Sequence, residues 1–158
     1  MNSSQTYLIL HNIRSAHNIG SIFRTADAAN ITKIFLTGYS PTPTDRFGKA
    51  RSDIKKVSLG AENSVMWEYE KTPTKVINRL QKEGFKIIAI EQNKNSVDYK
   101  KVKIKGDKVF ILGNEVRGLS KNILKKSDII AEIPMQGQKE SLNVSVSAGI
   151  VLFRVLGL

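Results

Sequence analysis

Apolar residues fall into two recurring patterns along this chain: short uninterrupted runs, and stripes spaced three or four residues apart. Tyr7-Leu8-Ile9-Leu10 is an uninterrupted run and predicts a buried strand. Ile19, Ile22, Phe23, Ala26 and Asn30 share one face at helical spacing, which predicts a helix over 19–29 with Asn18 as its N-cap. Lys33-Ile34-Phe35-Leu36-Thr37 returns to strand character. Residues 38–64 lose all clear periodicity, with Pro41, Pro43, Gly48 and Gly60 set among charges, and read as a functional loop. Thr72 or Thr74 then caps a helix running to about Glu83 and stopped by Gly84. Three more strands follow at 85–90, 109–112 and 128–133. The segment 142–156 is almost continuously apolar and predicts a deeply buried helix.

Strands alternating with helices indicate an α/β domain with a mostly parallel sheet, here a single domain over 1–158. Such sheets bind ligands beyond the carboxyl ends of their strands. The loops of interest are therefore those starting near His11, Gly113 and Pro134.

Composition narrows the chemistry. The 158 residues contain no cysteine and two histidines, His11 and His17. Disulfides, thiol catalysis and cysteine-bearing metal centres are excluded, and no metal is expected. The first residues have neither a basic nor an apolar signal region, and no apolar stretch is long enough to span a bilayer, so a cytoplasmic protein is expected. The 25 Lys and Arg against 14 Asp and Glu leave a net charge of +11, which favours a polyanionic partner such as RNA or DNA. Solvated surface lysine accounts for part of that excess.

The common nucleotide motifs fail. Gly113 and Gly118 have P-loop spacing, but Leu119 stands where phosphate chemistry needs lysine. No G-x-G-x-x-G follows the first strand, and no serine occupies a G-x-S-x-G elbow.

Three other segments stand out: Asn12-Ile13-Arg14-Ser15-Ala16-His17-Asn18-Ile19-Gly20-Ser21-Ile22-Phe23-Arg24-Thr25-Ala26, then Ile111-Leu112-Gly113-Asn114-Glu115-Val116-Arg117-Gly118-Leu119-Ser120, then Ile133-Pro134-Met135-Gln136-Gly137 through Ser141-Leu142-Asn143 to Gly149. In order and spacing these resemble the three motifs of the SpoU/TrmH branch of the SPOUT superfamily of RNA methyltransferases. The resemblance runs from Tyr7 to Leu156. It implies a parallel sheet whose C-terminal part forms a deep trefoil knot, S-adenosylmethionine as cofactor, and methylation of a ribose 2′-hydroxyl in structured RNA, tRNA or rRNA. It also implies a homodimer whose partner chain completes the active site. No additional RNA-binding domain is expected.

By the same resemblance, Ile90, Leu112, Gly113, Gly118, Ile133, Met135 and Leu142 border the cofactor, and Arg24, Asn18, Glu115, Ser141 and Asn143 form the catalytic set. Physical reading of these residues leaves second roles open. Gly113, Gly118 and Gly137 suit close backbone approach or positive φ, or simple turns. Met135 can equally fill a gap in a core. Arg24 lies off the apolar stripe of its helix, either free for catalysis or paired with Asp27. Ser141 can cap the last helix. Asn12, Arg14 and Arg117 are candidate RNA contacts carried by the motifs, and Arg46, Lys49 and Arg51 by their charge and loop. Tyr39, Phe47, Trp67 and Tyr69 can stack on bases, with core packing the default for Phe47 and Trp67. Two rival readings remain: a non-catalytic RNA-binding protein of this fold, and a base methyltransferase of the same superfamily.

Overall fold

A computed structural model describes residues 3–158. Seven strands, β1 (Thr6–His11), β2 (Lys33–Thr37), β3 (Met66–Glu70), β4 (Lys86–Ile90), β5 (Val97–Asp98), β6 (Lys108–Leu112) and β7 (Ile129–Glu132), form one sheet. Every pairing is parallel, in the order β3-β2-β1-β6-β4-β7-β5. Six helices accompany them: α1 (Ala16–Ala28), α2 (Ser52–Ser58), α3 (Ala61–Ser64), α4 (Pro73–Lys82), α5 (Lys121–Lys126) and α6 (Val144–Leu156).

The apolar runs form central strands because both sheet faces are covered. Leu8 and Leu10 point into one layer with Ile34, Phe110 and Ile88, under Ile22 and Phe23 of α1 and Val151 and Leu152 of α6. Ile9 points the other way, with Phe35, Val109 and Ile111, onto Ile77 and Leu80 of α4 and Ile123 of α5. Register places Leu8 beside both Ile34 and Phe110, so branched side chains stack in rows across the sheet.

The structure corrects several boundaries. Asn18 is not the cap of α1; Ser15 is, its Oγ accepting the Asn18 N–H at 3.1 Å. Asn18 instead sits inside the helix and is buried. The stretch 38–64 is only partly loop. Its second half folds as α2 and α3, whose inward side chains are few (Ile54, Ser58 and Ala61), too few to register as a periodicity. α2 packs on α1 where Gly20 leaves room: a Cβ there would stand 2.8 Å from the Ile54 carbonyl oxygen. β3 escaped notice because edge position leaves Met66 and Tyr69 exposed among glutamates. α5 is a single short turn of lysines on one buried Ile123. Asn143, not Ser141, caps α6. That helix is also not buried all round, since Val146 and Phe153 remain exposed.

Candidate active site

The chain leaves β4, β6 and β7 at the same edge of the sheet, and the segments that follow enclose an open cleft of about 260 Å³. The segment after β1 does not line it and is joined to it through hydrogen bonds to Glu115. Ile90, Leu112, Gly113, Gly118, Ile133, Met135 and Leu142 all line it, together with Glu115 and Ser141. Residues separated by more than fifty positions in sequence are thus brought to one wall by strand order alone.

Two glycines are required by close approach. A Cβ on Gly113 would lie 2.8 Å from the backbone C and O of Gly118 and 2.6 Å from Leu119 Cδ2. Gly118 adopts φ +65°, and a Cβ there would collide with the Glu91 carboxylate at 2.1 Å. Gly137 differs from the expectation: its surroundings are open and its φ is ordinary, so no close approach demands it.

A polar relay stitches the three motifs. Glu115 accepts hydrogen bonds from the Arg14 and Ser15 N–H groups at 3.1 and 3.3 Å, at the start of α1, and from Asn18 Nδ2 at 3.1 Å. Asn18 Oδ1 in turn accepts from Asn143 Nδ2 at 3.2 Å, while Asn143 Oδ1 caps α6 at Ser145 N. Partial burial pushes the Glu115 carboxyl up, but the backbone N–H groups of Arg14, Glu115 and Ser15 and the Asn18 amide outweigh it. The net shift is below the ordinary glutamate value. Asn114 organises the same loop: its Oδ1 accepts the N–H groups of Val116 and Arg117, and its Nδ2 donates to Asn12 O and Tyr39 Oη.

The arginines separate from this assembly. Arg24 follows Asn18 by six residues, about 9 Å along α1. It is exposed, makes no ion pair or hydrogen bond among the described residues, and does not line its own chain's cleft. The alternative partner, Asp27, accepts from Ser64 Oγ instead. Arg14 and Arg117 are exposed on the loops flanking the cleft. Arg46 and Lys49 stand on a separate surface groove, and Arg51 there is bound through two nitrogens to Asp53. Asn12 is committed structurally, at φ +54° with its Oδ1 accepting from Tyr39 N. Trp67 is partly buried, as its default reading expects, whereas Phe47 is 80% exposed and packs in no core.

Among the cleft residues, Glu91 and Gln92 lie outside every segment singled out in the sequence, and Glu132 and Glu140, though within the last strand and the third motif, were given no site role. Glu91 directly follows β4 and holds Leu119 N at 3.0 Å; Gln92 Nε2 donates to Glu140 O at 2.6 Å. Attention to the segment after β4, equal to that given the other strand ends, would have found the first two. The cleft of this basic protein contains four glutamates, Glu91, Glu115, Glu132 and Glu140, and no lysine or arginine. Its lining therefore favours a ligand carrying positive charge beside apolar surface.

Comparison with known proteins matches residues 5–153 to the SpoU rRNA Methylase family. An uncharacterized tRNA/rRNA methyltransferase of Mycoplasma pneumoniae is 33% identical over 156 residues, covering 96% of this chain and 60% of that protein. The 23S rRNA (guanosine-2′-O-)-methyltransferase of Pseudomonas aeruginosa is 28% identical over 149 residues, covering 94% and 57%. The chain thus spans somewhat over half the length of these relatives. Among solved structures, the AdoMet-bound rRNA methyltransferase of Sinorhizobium meliloti superposes with a TM-score of 0.86 at 28% identity, covering 98% of this chain and 56% of that one.

Proposed function

This chain belongs to the SpoU rRNA Methylase family, and from that premise we propose that it methylates a ribose 2′-hydroxyl of structured RNA, tRNA or rRNA, with S-adenosylmethionine as donor. The observation that carries this reading is the convergence of the segments after β4, β6 and β7 on one cleft, to which the segment after β1 is tied by Glu115, with Glu115, Asn18 and Asn143 linked across three motifs. The named activity of the Pseudomonas relative and the cofactor bound in the Sinorhizobium structure support it.

The residues present fit the cofactor. Leu112, Ile133, Met135 and Leu142 offer apolar walls to an adenine, Gly113 and Gly118 bring backbone groups close, and glutamates suit a cationic ligand. When bound, S-adenosylmethionine supplies an electrophilic methyl group. The chain's own part is to hold the reacting oxygen in line and to stabilise charge as its proton leaves. Ser141, at the cleft, with Asn18, held by Glu115, and Asn143, held by Asn18, supply polar contacts of fixed orientation. Arg24 is a guanidinium that stays charged, so it acts as a phosphate grip and alkoxide stabiliser while a phosphate oxygen or water takes the proton. Arg14 and Arg117 at the rim, with Arg46, Lys49 and Arg51 further out, bind RNA phosphates; Asn12 acts by shaping the loop beneath them.

Because Arg24 lies away from its own cleft, it serves the cleft of a second copy. The exposed apolar side chains of α6, Val146 and Phe153, lie on the helix whose first turn lines the cleft. α6 also packs on α1 near Thr25, next to Arg24: a Cβ on Gly149 would stand 3.9 Å from Thr25 Cγ2. A two-fold dimer through this face brings Arg24 to the partner's site. The strand order supports a trefoil knot, since β6 inserts between β1 and β4, and β7 between β4 and β5. We assign the enzyme to the cytoplasm, where its RNA resides, and assign it no metal.

Ribose-methylation maps of total RNA with and without the gene test the activity, reading alkaline-resistant linkages. One or more sites vanish on deletion and return with the wild-type gene. Arg24→Ala leaves the melting temperature unchanged but lowers transfer by about 10²–10³-fold. An Arg24→Lys enzyme with most of its activity overturns the bidentate phosphate grip.

A further inference from the structure

Apart from the cleft, the groove formed by residues 38–53 carries the most exposed aromatic side chain among the described residues. Phe47 is 80% exposed, beside Tyr39 at 57% and Tyr69 at 48%. Phe47 is held out by a well-built turn. Asp45 Oδ1 accepts the N–H groups of Phe47 and Lys49 at 2.8 and 2.9 Å, Asp45 N donates to Lys49 O at 2.8 Å, and Gly48 turns the chain at φ +78°. A Thr44–Ala50 bridge closes the base of the turn. The Arg46 guanidinium lies 4.8 Å from the centre of the Phe47 ring, leaving the other ring face free.

A rigid turn that presents a phenyl ring to water gains nothing from its burial in folding, and is preorganised for a ligand with a flat face. Charge says which kind. Arg46, Lys49 and Arg51 outnumber Asp45 and Asp53 here, and Lys55 and Lys56 on α2 adjoin them. Aromatic rings interleaved with cations suit single-stranded nucleic acid, whose bases stack while its phosphates pair with charge. The groove is also joined to the cleft: Tyr39 Oη accepts from Asn114 Nδ2 at 2.8 Å, and Asn114 lines the cleft.

We propose that the 45–49 turn is a base-stacking site, in which an unpaired nucleobase flanking the target nucleotide stacks on Phe47 while Arg46 and Lys49 hold the adjacent phosphates. This rests on the RNA methyltransferase reading and extends it: the substrate is a loop or bulge with at least one unstacked base, not continuous duplex.

The test uses the full chain and two probes, a single-stranded RNA heptamer containing 2-aminopurine and a blunt RNA duplex of about 16 base pairs. Wild-type protein quenches the 2-aminopurine on binding. Phe47→Leu, on an exposed side chain, folds normally and binds S-adenosylmethionine as wild type. It binds the heptamer about 5- to 150-fold more weakly and loses the quench, with duplex binding little changed, and Phe47→Trp restores both. Equal heptamer affinity for wild type and Phe47→Leu overturns the proposal, as does an equal loss on duplex. A change only in oligomeric state overturns it in favour of a protein contact. If the wild-type protein quenches the probe yet methylates no RNA, the enzymatic reading fails while the stacking site stands.

Discussion

Substituting Gly113 by alanine adds one methyl group where the structure has no room for it. The new Cβ would stand 2.8 Å from two backbone atoms of Gly118 and 2.6 Å from Leu119 Cδ2, against ordinary contacts of 3.4 Å or more. The Gly118 backbone must retreat by about 0.6 Å, the difference of those distances. Little around it can yield. Asn114 ties Val116 and Arg117, Gly118 N donates to Asn114 O at 2.9 Å, Glu91 holds Leu119 N, and the Leu119 side chain is only 7% exposed in the second core. Overpacking of this kind costs about 1–3 kcal/mol. For a domain of this size that lowers the melting temperature by about 2–12 °C. If the same strain displaces the backbone groups facing the cofactor, S-adenosylmethionine binds about 5- to 150-fold more weakly by calorimetry. Gly137→Ala is the internal control, with open space and ordinary φ. It is neutral, or slightly stabilising through a stiffer unfolded chain. A Gly113→Ala protein that melts with the wild type, or a Gly137→Ala protein equally damaged, refutes the reasoning.

Glu115 links pH to stability. Its carboxyl is held below the ordinary glutamate value, so its stabilisation is complete above that ordinary, unfolded value and is lost as pH falls through the lower folded one. The melting-temperature gap between wild type and Glu115→Gln is therefore constant near neutrality and shrinks below about pH 4; a gap that widens on acidification contradicts the relay. Val146→Glu puts a charge on the exposed face of α6 near its N-terminus, where an acid is compatible with the helix. Sedimentation of the wild type at twice 17.6 kDa and of this variant at 17.6 kDa is expected; a monomeric wild type ends the dimer reading.

The hydrophobic pattern alone determined the central layer. β1, β2, β4 and β6 are runs that only a sheet covered on both faces can bury, and the motifs between them marked which strand ends to watch. Alternation of strand and helix implied parallel pairing, which all seven strands adopt. Weakly buried elements stayed hidden, because α2, α5 and β3 each hide too few side chains to leave a period. The tertiary structure decided the rest. Strand order set Glu91 and Glu140 against Gly118 and Gln92, contacts that no local spacing encodes. It turned Asn18 from a cap into the middle of a relay, since whether an amide caps its own helix or reaches a carboxylate nearly a hundred residues away depends on what packs beside it. It also left Phe47 in water, although a phenyl ring by itself prefers a core, because hydrogen bonds to Asp45 hold the turn outward against that preference.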